Sequence, residues 1–88
     1  MHNRRSDERN DVKELVEFTF SLNNKIREAV ILDMSRNGAR IMYVGNPVRE
    51  ENPTFGLDVD KLDIHRQSEI AWFKSLMSGV TIAGLRYL

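Results

Sequence analysis

Two short groups of polar residues have side chains that could contact a ligand, although each group taken alone also fits a solvated charge cluster or a turn. The first is the segment Arg5–Arg9, which reads RSDER. A guanidinium is a planar fork of donors that pairs bidentately with phosphate or with O6 and N7 of guanine. Residues four apart lie about 13 Å apart in an extended chain and about 6 Å apart in a helix, so a bent segment can bring both arginines to one ligand.

The second group is the segment Asp33–Gly38, which reads DMSRNG. The Asp33 carboxylate can accept hydrogen bonds, and Ser35 adds a small donor or acceptor. Gly38 permits a close approach or a positive φ. The same residues are ordinary turn formers, and Asn-Gly favours a tight reversal. A turn and a binding site are compatible here, because a site is often built on a turn.

The elements that must position these groups are β-strands. Apolar and polar residues alternate through most of the chain, with β-branched and aromatic residues enriched, which is the period-two pattern of half-buried strands. Asn23-Asn24 predicts a turn between the first two strands, and 75–79 predicts a loop before the last. Ile70 and Trp72 are expected on one face of the fifth strand, which we expect to be covered on both sides near its end. The predicted strands are 12–22, 29–33, 39–44, 55–59, 64–74 and 80–88.

A chain of 88 residues with six short strands and no helix of ordinary length must close its sheet to hide the edges and surround one core. The sequence therefore predicts an all-β fold, a small six-stranded antiparallel barrel. Residues 12–88 form this domain. Residues 1–11 are almost wholly polar and predict a flexible arm.

Bulk composition excludes several functions. Thirteen basic residues balance thirteen acidic ones, so no global positive field attracts DNA or RNA. Cysteine is absent, which removes disulfides and thiol chemistry. There is no apolar leader and no long apolar run, so the cytoplasm is the expected location and no membrane insertion is expected. His2 and His65 show no carboxylate pattern, and no metal site or cofactor is predicted.

The two polar groups, in this order and context, resemble the PilZ family, whose motifs are Arg-x-x-x-Arg and Asp/Asn-x-Ser-x-x-Gly. Ile70-Ala71-Trp72 and the closing Gly84–Tyr87 resemble the last two strands of that family. The resemblance implies a PilZ-type six-stranded barrel that binds cyclic di-GMP. It assigns ligand contact to Arg5, Arg9, Asp33, Ser35 and Gly38, with Asp33 accepting hydrogen bonds from N1 and N2 of guanine. Further candidates for phosphate contact, because they lie in or beside the two motifs, are Arg4, Arg36 and Arg40.

The mechanism expected from this resemblance is an arm that is disordered without ligand and folds across the barrel when cyclic di-GMP binds, signalling to a downstream protein partner. Ordering the arm costs conformational entropy, which charge-assisted contacts must exceed. Oligomeric state stays open, a homodimer included.

Three other functions deserve comparison with this expectation. A PilZ-like adaptor would bind a protein and no nucleotide. A small barrel for single-stranded nucleic acid is disfavoured by the balanced charge, and Trp72 and Phe73 are expected to serve packing rather than stacking. An enzyme would need a nucleophile, a base or a metal in one pocket. Asp33 and Ser35 lack a positioned histidine, so no enzyme is predicted.

Overall fold

The fold is a single antiparallel sheet of six strands, seen in a computed structural model that describes residues 10–47 and 52–88, with side chains from residue 15 onward. The strand order across the sheet is β1-β2-β3-β6-β5-β4. The strands are β1 (Asn10–Leu22), β2 (Lys25–Met34), β3 (Gly38–Val44), β4 (Thr54–Val59), β5 (Ile64–Met77) and β6 (Val80–Tyr87). The predicted all-β fold is confirmed.

The sheet curls so that its two outer strands, β1 and β4, contact each other and nearly close a barrel. The inward side chains of all six strands form one core. Phe20 stacks on Phe55 at 4.5 Å between ring centroids, which ties β1 to β4 across the seam. The rest of the core includes Leu22, Ile31, Ile41, Tyr43, Leu57, Val59, Ala83 and Leu85.

The first hairpin turns where the sequence predicts it. Asn23 and Asn24 both take positive φ, 54° and 64°, a conformation that asparagine tolerates better than most residues. This two-residue turn brings Lys25 directly opposite Leu22. Pairing therefore starts at once, and β2 begins earlier than the apolar run at residue 29 suggested.

A bulge in β5 overturns one prediction. Ile70 pairs with the buried Leu85, but Trp72 pairs with Gly84, the next residue on the opposite face of β6. The register shift between them places Ile70 inward and Trp72 outward, so the prediction that these two side chains share a face is wrong. Period-two reasoning cannot see an inserted residue.

The end of β5 also differs from expectation. The strand continues to Met77, so only Ser78 and Gly79 form the turn and the predicted loop at 75–79 is shorter. Its residues from 71 to 77 are exposed, so the predicted cover on both sides is wrong. The reason is that β4 pairs with β5 only up to Glu69.

Two further features concern the predicted arm and helices. β1 begins at Asn10, inside the 1–11 segment predicted as an arm, while residues 1–9 lie outside the described part of the chain. Within the described ranges, the one helical element is a short 3-10 turn at Asp60–Leu62. None of the described residues forms a helix with the length and apolar character needed to cross a membrane.

Candidate functional site

The second polar group lies at one end of the barrel, on its outer surface. A bulge in β2 between Ile31 and Asp33 shifts the register, so Asp33 pairs with Arg40 of β3. Arg40 pairs in turn with Gly84 of β6, and Gly84 pairs with Trp72 of β5. The register therefore aligns an acid, a base and an aromatic ring in one row across four strands.

Asp33 and Arg40 form the charged centre of this row. The Asp33 side chain is 4% exposed and that of Arg40 is 46% exposed, with 2.7 Å between Asp33 Oδ2 and Arg40 Nη2. A buried carboxylate needs such a partner because desolvating it alone is costly. Arg40 was expected as a further phosphate contact, and Asp33 was expected to contact guanine. The ion pair thus holds Arg40 in place, while nearly half of the Arg40 side chain still reaches solvent.

The β2–β3 turn is closed by the motif residues themselves. The Ser35 amide donates to the Gly38 carbonyl oxygen at 2.8 Å, and Ser35 Oγ lies 3.5 Å from that same oxygen. Gly38 is required by a close approach: a Cβ at this position would lie 1.9 Å from the Leu85 carbonyl oxygen. Of the two roles predicted for this glycine, the close approach is the one observed, because its φ is not positive.

A cleft of about 270 Å³ opens beside this turn. Its floor is Gly84, over which the Trp72 indole lies so closely that a Cβ on Gly84 would be 2.1 Å from Trp72 Nε1. Trp72 is 47% exposed. Packing of Trp72 was expected, but it also offers an aromatic surface at the cleft. The lining residues are Ser35, Asn37, Gly38, Ala71, Trp72, Gly84, Leu85 and Arg86.

Arg86 also lines the cleft, and sequence reasoning assigned it no role of its own. It pairs with Glu69 across the β5–β6 ladder, donating from Nε at 2.7 Å and also from Nη2. Nη1 has no hydrogen-bond partner among the described residues. Strand periodicity could have identified Arg86 as a residue of the site. It lies two residues after Gly84, so both residues are on the outer face of β6.

The structure brings some of the predicted site residues together and is silent on others. Asp33, Ser35, Gly38 and Arg40 share this end of the barrel, and Arg36 is an exposed residue of the same turn. The predicted contacts from Arg4, Arg5 and Arg9 lie outside the described residues.

The entry point of the chain bears on those three arginines. Asn10 pairs with Met34, and Asp11 pairs with Asp33. The first described residue therefore lies beside the β2–β3 turn.

The other notable polar cluster lies around His65. Its Nδ1 is 3.1 Å from Asp58 Oδ1, and its Nε2 is 3.7 Å from Asp60 Oδ1 and 3.6 Å from Asp63 Oδ1. The sequence expectation that His65 lacks nearby carboxylates is therefore wrong, because the 3-10 turn folds Asp60 and Asp63 back towards β5. Even so, within the ranges the structure describes, no group of potential ligands is arranged to hold a metal ion.

No family model matches the sequence, and no curated protein matches it. A function must therefore be argued from the residues of the cleft and from the two motifs that resemble the PilZ pattern.

Proposed function

We propose that this chain is a PilZ-type receptor domain that binds cyclic di-GMP at the β2–β3 turn. One observation carries the proposal. β1 begins at Asn10 opposite Met34, so the first described residue lies next to the turn that holds Asp33, Ser35 and Gly38. The proposal brings the arginine-containing segment, which precedes Asn10 in the sequence, to this turn.

The chemistry of the cleft supports a ligand with a flat base and anionic phosphates. Trp72 supplies an aromatic face on which a purine can stack. Arg86 and Arg40 supply guanidinium groups on side chains that are 61% and 46% exposed. Arginine suits phosphate and the O6/N7 edge of guanine because it donates two parallel hydrogen bonds. The cleft is slightly smaller than the roughly 300 Å³ lower end of small-molecule sites, so it would seat one portion of a dinucleotide.

Asp33 has two parts in the proposal. Its ion pair fixes the position of Arg40. Its carboxylate, 4% exposed behind that pair, would accept from N1 and N2 of guanine when the base displaces Arg40 from it. Adenine offers no donor at N1, so an acidic acceptor favours guanine. The proposed selectivity of the site for guanine over adenine rests on this residue.

Arg5 and Arg9 complete the proposed site from the polar arm predicted at residues 1–11, hereafter the leader. Arg4 and Arg36 are further phosphate contacts in this proposal. Binding would fold the leader over the cleft, and the ordered leader would present a changed surface to a downstream protein in the cytoplasm. The cost is the conformational entropy of the leader, which several charge-assisted hydrogen bonds can exceed.

We propose binding without catalysis. The described residues of the cleft include serine, arginine and tryptophan but no histidine or cysteine to activate a nucleophile. Recognition in the proposal uses side chains of the protein alone and assigns no part to a metal or cofactor.

The test is titration calorimetry with cyclic di-GMP on three proteins. These are the wild type, the double variant Arg5→Ala/Arg9→Ala, and a charge-matched control, Lys25→Ala/Lys61→Ala, whose exposed lysines lie away from the cleft. Each lost arginine contact should weaken binding by about 1 to 3 kcal/mol, or roughly 5- to 150-fold in Kd, while the control binds as the wild type does.

Two results would overturn the proposal. Absence of heat at high micromolar ligand, with folded wild-type protein, would favour an adaptor that binds protein and no nucleotide. Equal weakening in the arginine variant and the lysine control would show that attraction is a matter of net charge and that the two arginines have no specific role.

A further inference from the structure

A second concave surface lies further along the same strands, next to the Asp33–Arg40 row of the candidate site. It is a groove of about 600 Å³ on the outer face of β1, β2, β3 and β6. Its apolar lining includes Val30, Met42, Val44 and Val80, and two carboxylates, Glu17 and Glu28, line it on one side. Val44 is 60% exposed.

The register explains why these side chains meet. Glu17 pairs with Val30, Val30 with Met42, and Val44 with Val80. Neighbouring positions on a ladder share a face, so apolar residues of three strands adjoin one another on the solvent side. The outer face of a small antiparallel sheet is ordinarily polar, so apolar side chains that adjoin one another there, with Val44 exposed and Val30, Met42 and Val80 half-buried, are a candidate interaction surface.

The two glutamates specify the chemistry of what binds. Neither Glu17 nor Glu28 has an ion-pair partner among the described residues, and no basic residue lines the groove. We propose that the groove docks an amphipathic segment of a partner protein, with apolar side chains filling the floor and lysine or arginine facing the two carboxylates. The complementary charges at the margin of the groove would set the orientation of the bound segment and increase its association rate.

Three other occupants fit the observations less well. The chain's own leader, residues 1–9, contains one apolar side chain, Met1, and cannot fill an apolar floor. In a dimer with a two-fold axis, the groove of one copy would face the same groove of the other copy. Two concave surfaces do not fill each other, so a second copy is a poor occupant. An anionic lipid surface would be repelled by Glu17 and Glu28.

This surface does not depend on cyclic di-GMP binding, but it lies beside the candidate site. Met42 and Arg40 are neighbours on one face of β3, roughly 7 Å apart along the strand. A segment docked in the groove would therefore sit next to the Asp33–Arg40 row.

The test uses ¹⁵N-labelled protein without any dinucleotide and two synthetic helical peptides. One peptide is built from leucine and lysine, and its twin carries glutamate in place of lysine. The basic peptide should shift the amides of Val30, Met42, Val44 and Val80, and bind about 3- to 30-fold tighter than the acidic twin, as expected for two exposed ion pairs.

Matched variants make the test specific. Glu17→Lys/Glu28→Lys should reverse the preference between the two peptides. Val44→Asn, which removes an apolar side chain without adding charge, should weaken binding of the basic peptide, whereas Leu88→Asn, at a residue of nearly equal exposure (59%) outside the groove, should not. Circular dichroism confirms that each variant is folded.

Several results would overturn the proposal: equal affinity for both peptides, shifts elsewhere on the barrel, or equal effects of Val44→Asn and Leu88→Asn. A dimer in sedimentation that Val44→Asn dissolves would assign the groove to a second copy, and binding to phosphatidylglycerol vesicles would assign it to a membrane. Because no dinucleotide is present, failure here leaves the proposed cyclic di-GMP site standing.

Discussion

Replacing Gly38 by alanine should destabilise the protein through one identifiable contact. An added Cβ would lie 1.9 Å from the Leu85 carbonyl oxygen on the neighbouring strand β6. An ordinary carbon–oxygen contact is about 3.3 Å, so the two strands would have to separate locally by about 1.4 Å, the difference between these distances. The obstacle is backbone, which cannot rotate away as a side chain can.

The magnitude follows from three contributions. Overpacking in a well-packed region costs about 1 to 3 kcal/mol. The nearby hydrogen bond from the Tyr87 amide to the Asn37 carbonyl, 2.9 Å long, would lengthen, a loss of about 1 kcal/mol. Alanine regains about 0.5 to 1 kcal/mol because glycine in a strand carries more unfolded-state entropy. The net loss is about 1 to 3 kcal/mol, out of roughly 5 to 15 kcal/mol for a typical domain.

Urea denaturation followed by circular dichroism measures this change, with Gly56→Ala as the matched control. Gly56 also lies within a strand, but the atom nearest to its added Cβ is Gln67 Oε1 at 3.6 Å, an ordinary contact. Gly56→Ala should be as stable as the wild type or up to about 1 kcal/mol more stable. A Gly38→Ala protein as stable as the Gly56→Ala protein would refute the close approach of β3 and β6.

Three further predictions concern the cleft. Asp33→Ala should weaken the binding of cyclic di-GMP more than that of cyclic di-AMP in a competition assay. Equal losses of affinity for the two ligands would contradict the proposed role of Asp33 in guanine selectivity. Trp72→Ala should weaken cyclic di-GMP by about 1 to 3 kcal/mol if a base stacks there, with Trp72→Phe retaining most of the affinity; identical Kd values in all three proteins would exclude stacking. Gly84→Ala should push the half-exposed indole off β6, changing Trp72 fluorescence and weakening binding with little loss of stability, because a side chain can move aside; unchanged fluorescence would contradict the contact.

Much of the barrel could be predicted from the sequence because its determinants are local. Alternating apolar residues mark the strands, and Asn23-Asn24 marks a turn through its tolerance of positive φ. The place of Asp33, Ser35 and Gly38 on a turn between two strands follows from the same signals. These features need no knowledge of distant partners.

The remainder depends on register, which the alternation pattern does not encode. The bulges after Ile31 and Ile70 each turn the following residues to the other face. They bring Asp33 to Arg40 and Trp72 to Gly84, so the cleft and the outward Trp72 are consequences of the ladder. Arg86 enters the site for the same reason, because only the fold places its strand beside the β2–β3 turn.

The central claim is that cyclic di-GMP binds between the β2–β3 turn and the Trp72–Gly84 surface. The most direct measurement is chemical-shift mapping of the ¹⁵N-labelled protein during titration with cyclic di-GMP. If cyclic di-GMP binds there, the largest chemical-shift changes should occur at the amides of Asp33 to Gly38, at the amide of Arg86, and at the indole N–H of Trp72. Absence of shifts, or largest shifts at the opposite end around Asn23-Asn24 and Gly79, would contradict it.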